Sequence, residues 1–454
     1  MSVTQPQPHK PDTDAETPEN APAPEAEKDT ATDAVNDAAK AKKTSLKRAI
    51  QDNSALSVMF GVVFINLVGF GLLVPLMPFF AQTLNAGPWQ VTLMFAAYSL
   101  GQFFAEPLWG GLSDRWGRKP VLVITTASNV LFYILLAFAP NVWWAIGIRF
   151  LNGIGSGNVS CIQSYVSDMS EPHQRASRMS LIGAAFSLGF VIGPVIGGFL
   201  AHEEAGAAGF RLPLFLAAAL SAVATLGILV YVRESRVRTP HAAPQNFRAT
   251  FTEARRNPII SRLILATLFY MAALAGLEAT FGLWAKARYE WGPREVSLIF
   301  LFIGVTAALM QVVFTRPLVR RYGEARILVL GLFVFGLGFF LQGINRAPLL
   351  VTPLVMLAAL GQAVIFASIS AIISKSTAPE RQGAMLGLNQ STGAIARIAG
   401  PVVAGFLFSQ LGADGPLWFC ALMCFTGALL ALRVEKVESR LRALGQSVVQ
   451  KIQK

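Results

Sequence analysis

The chain has 454 residues, 53% of them hydrophobic and 14% charged, with mean hydropathy +0.50 and formal net charge +12. A soluble protein carries about 25% charged residues, so this composition excludes an ordinary water-soluble domain. The excess of Lys and Arg does not gather on one soluble face, as nucleic-acid binding requires; it sits in short segments between long apolar runs, the pattern of loops beside an anionic leaflet.

Residues 1–50 open the chain without the basic start and short apolar stretch of a secretory signal. Rich in Pro, Ala, Asp and Glu, they bury too little apolar area to offset ordering entropy and read as a disordered cytoplasmic tail. Lys40, Lys42, Lys43, Lys47 and Arg48 form a basic patch at its membrane end. A transmembrane helix needs about 20 apolar residues, and runs suited to one lie near 55–82, 89–111, 119–139, 142–166, 179–201, 212–232, 259–285, 295–315, 326–345, 349–374, 383–410 and 415–433. The expected fold class is therefore all-α integral membrane, with twelve spans in two six-helix bundles, residues 51–232 and 259–433. A polar linker, 233–258, joins them, and 434–454 is a second cytoplasmic tail. An even count puts both ends on one side. Arg211, Lys286, Arg288, Arg294 and Arg346 are the basic residues of the opposite loops, and the bulk of the 38 lies on the side of the termini, which makes that side cytoplasmic.

The halves repeat. A shift of 207 residues lays Gly193-Pro194 on Gly400-Pro401, Gly198-Phe199-Leu200 on Gly405-Phe406-Leu407, and Pro172 on Pro379; a shift of 206 lays Arg115 and Gly117 on Arg321 and Gly323. Repeats of this kind build transporters that rock about a midplane site.

Three motifs carry a family resemblance. The loop after the second run holds Gly110, Asp114, Arg115, Gly117, Arg118 and Lys119, in the spacing of the Gly-x-x-x-Asp-Arg-x-Gly-Arg-Lys loop of the major facilitator superfamily. Glycine there permits a tight turn and close helix approach, and an Asp can neutralise a helix N-terminus. The fourth run holds Arg149-Phe-Leu-Asn152-Gly153, similar to the family's second motif with Asn152 in place of Gln. The fifth holds Gly189, Gly193, Pro194, Gly197 and Gly198, which resembles the antiporter motif of the drug/proton antiporter branch with twelve spans. Glycines so spaced give a flat face for close packing. The whole pattern, over residues 55–433, looks most like tetracycline-type and multidrug exporters. The resemblance implies that Asp114 meets the start of the eleventh span near Gly383 and that the neighbouring Arg pairs with the acid ending the fourth, Asp168. It departs from tetracycline exporters in carrying Asn66 where they have an acid in the first span, and in lacking their acids in the third and ninth spans and their His in the eighth. A magnesium-tetracycline substrate is therefore not expected.

The ionisable residues inside apolar runs are few, and such groups are functional candidates by default. His9, His173, His202 and His241 all lie in tails or loops, which leaves carboxylates to carry protons. Glu278, beside the helix-loosening Gly276, and Glu106 fall within runs, and a carboxylate taken out of water favours its neutral form. Either a proton or substrate site or a structural ion pair suits each. Tyr98, Gln102 and Glu106, four apart, share a stripe of the second helix. Arg149 and Arg397 sit near the centres of the fourth and eleventh runs, need partners, and join Glu278 and Glu106 as proton-coupling candidates, with pairing between helices that has no transport duty as the alternative. Two acids and two arginines balance, so the sign of the substrate stays open. Asn66, Asn152, Gln311, Gln362, Asn389 and Gln390 suit either substrate hydrogen bonds or helix-helix contact.

The function expected is proton-coupled efflux of a small amphipathic organic compound by alternating access, in a monomer in the cell inner membrane whose partners are the substrate, protons and lipid. A sugar or metabolite facilitator or symporter of the same superfamily, and a non-transporting sensor or assembly factor, are the alternatives. Neither a phosphate-binding loop, metal-spaced His and Cys nor a nucleophile elbow is found, so no enzyme activity, cofactor, metal or nucleic acid is expected. Cys161, Cys420 and Cys424 all fall in apolar runs and read as small core residues.

Overall fold

The computed structural model describes residues 57–171, 174–235, 247–378 and 381–452. The tail 1–50 with its basic patch, Pro172, Pro379 and much of the 233–258 linker lie outside the described residues, as do His9, His173 and His241.

Helix follows helix along the described chain, in the order α1 Ser57–Leu73, α2 Met77–Thr83, α3 Pro88–Trp116, α4 Arg118–Ala137, α5 Val142–Ser156, α6 Val159–Asp168, α7 Arg175–Leu200 and α8 Arg211–Tyr231. The second half continues with α9 Phe247–Arg256, α10 Pro258–Tyr289, α11 Pro293–Leu309, α12 Thr315–Tyr322, α13 Glu324–Ile344, α14 Pro348–Lys375, α15 Gln382–Leu411 and α16 Gly415–Ile452. Where they are described, the apolar runs read from the sequence are largely helical. Among the described residues nine helices are long and apolar enough to cross a membrane, ten if the bent pair α1 and α2 counts as one. The polar side chains of α3, such as Gln90, Gln102 and Glu106, and the break between α5 and α6 keep those two runs outside that count.

The breaks have local causes. Pro75 and Pro78 remove backbone donors where α1 gives way to α2, and the two helices meet at 49°. Between α5 and α6 a Cβ on Gly157 would lie 2.9 Å from Cβ of Ala105, so α3 packs closely against a helix loosened by glycine. A π turn, Met310–Phe314, separates α11 from α12. The polar linker contains the charged helix α9, and α16 runs from the last apolar run into the region expected to be a tail.

The repeat recurs in backbone detail. Gly117 and Gly323 both take positive φ, 108° and 83°, at the junctions α3–α4 and α12–α13. Gly87-Pro88 and Gly292-Pro293 open α3 and α11 alike, the glycine amide donating to Gln90 Oε1 at 2.8 Å in one case and to Glu295 Oε2 at 3.0 Å in the other. A Cβ on Gly193 would sit 2.6 Å from backbone atoms of α1, and one on Gly400 2.3 Å from the carbonyl oxygen of Ala272 in α10. Thus α7 lies on α1 as α15 lies on α10.

Two cores result. The larger joins Leu72 to Phe80, Met94, Tyr133 and Phe210 of the first half with Leu277, Trp284, Val296, Phe335 and Cys420 of the second. The smaller, with Met59, Leu122, Cys161, Tyr165 and Ile228, belongs to the first half alone. Large apolar side chains such as Leu108, Val312 and Leu349 remain exposed, as they would against lipid tails.

Candidate functional site

The halves meet at the end of the molecule that carries residues 84–87, 201–210 and 290–292, remote from the basic loops. Lys286 of α10 pairs with Glu203, and its ammonium lies 5.8 Å from the Phe79 ring centroid. Cβ atoms on Gly198 and Gly405 would collide with Ser297 and Thr92 of the opposite half, at 2.4 and 1.9 Å. Towards the basic loops the picture reverses. Gly111, Gly183, Gly383 and Gly387 have open space where a side chain would stand. A cleft therefore separates the halves and opens towards the basic loops.

The loop motif folds back on its own half. Arg118 Nη1 donates to Asp114 Oδ1 and to Ser113 Oγ, both at 2.6 Å, and Arg118 Nε to Asp168 Oδ2 at 3.2 Å. Asp114 is 56% exposed, and Gly383 stands in the open cleft, so this conformation does not join the two as the resemblance implied. Lys119 Nζ reaches the carbonyl oxygen of Leu229, while Arg115 is exposed. A carboxylate that sequence reasoning missed, Glu234, accepts from the backbone amides of Arg118 at 2.7 Å and Lys119 at 3.1 Å. It caps the start of α4 and complements the helix dipole. The only signal for it was an acid just beyond an apolar run.

Among the antiporter-motif glycines, Gly189, Gly193 and Gly197 meet α1, at Leu67, Val68 and Leu72, whereas Gly198 faces the other half. Pro194 lies within α7. Gly110 approaches Ser160.

A polar group occupies the first half beside the cleft. Arg149, 2% exposed, donates from Nη1 to Asn152 Oδ1 at 2.9 Å; Asn152 Nδ2 donates to Asn129 Oδ1 at 3.0 Å, which also accepts from Ser156 Oγ at 3.0 Å. The guanidinium carbon stands 4.3 Å from the centre of the Tyr98 ring, a cation–π contact. Phe70 of α1 and Phe190 of α7 extend that aromatic wall, with ring centroids 5.3 Å from Phe70 to Tyr98 and 5.8 Å from Phe70 to Phe190. Gln102 adds a long contact to the carbonyl oxygen of Ser156. Asn129, Tyr133 and Ser156 were not singled out from the sequence, since neutral polar residues in an apolar run give no distinct signal.

The charged residues of the cleft do not pair closely. Glu278, Glu106 and Arg397 are each half-buried, and among the described residues none makes an ion pair within 4.0 Å. The charge of Arg397 nonetheless reaches both carboxylates and Tyr98. Of the amides, Asn152 and Asn389 are buried, and Asn389 accepts from Thr267 Oγ1 at 2.7 Å, joining α15 to α10. Gln362 lies beside Tyr270, Asn66 is half-buried, and Gln311, in the π turn, and Gln390 are exposed.

A sequence model of the Major Facilitator Superfamily matches residues 59–316 and 263–452. The chain is 27% identical to the class C tetracycline resistance protein of Escherichia coli, over 85% of this chain and 98% of that one. It is 24% identical to multidrug resistance protein 2 of Bacillus subtilis, over 85% and 97%. Its fold is similar to that of the human organic anion transporter MFSD10, with TM-score 0.63 and 24% identity over 84% of this chain and 99% of the other.

Proposed function

The chain belongs to the Major Facilitator Superfamily, and from that premise we propose that it is a proton-coupled exporter of a small amphipathic organic compound. It works as a monomer of twelve spans in the inner membrane, with residues 51–232 and 259–433 as the two bundles and both termini cytoplasmic. The basic loops then face the cytoplasm, and the cleft of this structure is the inward-open one.

The observation that carries the reading is Glu278: a half-buried carboxylate of α10 on the cleft, with Arg397 in electrostatic reach and no ion pair to hold it ionised among the described residues. Taken out of water without a close partner, such a group exchanges a proton readily. A proton arriving from outside neutralises Glu278, releases Arg397 from its field, and favours substrate release and return of the carrier. Glu106, two helical turns below Tyr98 on α3, is the second carboxylate within the field of Arg397 and exchanges partners as the halves rock. The energy suffices, since one charge crossing about 100 mV gains about 2.3 kcal/mol. The relatives named for tetracycline, multidrug resistance and organic anions support an organic cargo. The polar amides Asn66, Gln102, Asn152, Gln311, Gln362 and Gln390, with Tyr98, give the cleft its hydrogen-bonding groups.

Proteoliposomes with an imposed pH gradient test this directly, screened with lipophilic cations, tetracyclines, phenicols, organic anions and sugars while internal pH is recorded. Substrate flux against proton flux is expected, and Glu278→Gln is expected to abolish the coupling in a protein that still folds. Unchanged coupling in that variant removes Glu278 from the mechanism; sugar flux indifferent to pH replaces the exporter with a facilitator.

A further inference from the structure

The two acids and two arginines of the cleft balance in number but not in space. Glu106 and Glu278 both lie in the field of Arg397. Arg149 has neither: among the described residues the titratable groups that interact with it are Tyr98 and Tyr133, both uncharged phenols at working pH. Its hydrogen-bonded neighbours Asn152, Asn129 and Ser156 are also neutral. Its Nε is wholly shielded and has no acceptor. Glu106, the acid on the same stripe of α3 as Tyr98, is eight residues further along, about 12 Å at the helical rise. A buried guanidinium without an opposite charge is costly, and the Tyr98 ring and one amide oxygen do not neutralise it.

We propose that Arg149 is the recognition site for an anionic group of the substrate, which deepens the exporter reading and rests on it: the cargo is an aromatic or planar amphipathic anion. Its carboxylate or sulfonate pairs with the guanidinium once the Tyr98 ring swings aside, and its apolar body stacks on Phe70, Tyr98 and Phe190, which line one wall. The planar fork of Arg suits such an oxyanion better than a Lys would. Anion and proton occupy different halves, the anion on α5 and α3 and the proton on α10, so neither has to displace the other.

The test uses three probes of one shape, naphthoate, naphthamide and naphthylmethylamine, with binding to the purified full chain read by calorimetry and by thermal stabilisation. Wild-type protein is expected to prefer naphthoate over the uncharged amide by at least about tenfold, equivalent to about 1.4 kcal/mol, and to prefer the amine least. Arg149→Gln brings the ratio of acid to amide close to one, Arg149→Lys restores part of it, and Arg433→Gln, an exposed arginine, leaves it unchanged. The ratio separates recognition from scaffolding, because a merely structural arginine would weaken both probes alike. If Arg149→Gln does not fold, a fall in the ratio for Arg149→Lys carries the same meaning. Preference for the amine, binding of none of the three, or an unaltered ratio in the folded Arg149 variants overturns the anion site. Proton-coupled flux of a cation in the screen above would then leave the exporter reading standing, whereas absence of flux for every compound class would remove that as well.

Discussion

At the scale of single residues, the structure separates side chains that hold the fold from those free to move charge. Gly117 shows the first kind. Its φ of 108° is one that residues with a Cβ rarely adopt, and an added Cβ would stand 2.3 Å from the Glu234 carboxylate that caps α4. Gly117→Ala is expected to cost about 1–3 kcal/mol, read as a lower melting temperature in detergent, with a smaller loss for Glu234→Gln, which keeps shape but weakens the charge at the helix start. A melting temperature equal to wild type for Gly117→Ala would show that the loop relaxes without strain. Much at this scale was legible in the sequence: the rare ionisable residues in apolar runs are conspicuous against a composition that is 14% charged. What was not legible was pairing. Arg149 and Arg397 looked equivalent along the chain, yet the charge of Arg397 reaches two carboxylates while Arg149 has only neutral partners, because partners are chosen by helix rotation and three-dimensional proximity.

At the scale of elements, helix positions followed from apolar run length, while their interruptions needed tertiary contact to explain. The break after Ser156 comes from α3 pressing on Gly157, and α9 is too short and too charged to announce itself by hydropathy. The glycine-rich face of α7 was legible as a packing surface, and its partner in this structure is α1. Gly193→Leu should therefore wedge α7 from α1, where the added Cβ alone would stand 2.6 Å from backbone atoms of Val68 and Leu72. Such overpacking costs about 1–3 kcal/mol or more, and transport should fall with stability. Gly183→Leu, in the same helix but facing open space, should leave the melting temperature unchanged. Equal melting temperatures for the two variants would show that the close approach of α7 to α1 contributes little.

At the scale of the whole molecule, one end is closed by the Lys286–Glu203 pair and by glycines packed across the halves, and the basic end is open. The sequence indicated two related halves but could not say in which state they would be found, since that depends on contacts of similar strength at either end. Asp114, paired with Arg118 and exposed here, is free to meet the other half when the basic end closes. Asp114→Asn is expected to slow turnover several-fold without loss of substrate binding, measured as initial flux and as equilibrium affinity on the same preparation; wild-type turnover would remove Asp114 from closure.

The central claim, that the halves exchange which end is open, is tested most directly by spin-label distances in liposomes. One pair of labels at Gly111 and Gly383 spans the basic end; a second, at the exposed Glu204 and Ala287, spans the opposite end. Between acidic, substrate-free conditions and alkaline conditions with a transported substrate, the two distances are predicted to change in opposite senses, the first shortening as the second lengthens. Two distances that stay fixed, or that lengthen and shorten together, would contradict alternating access in this protein.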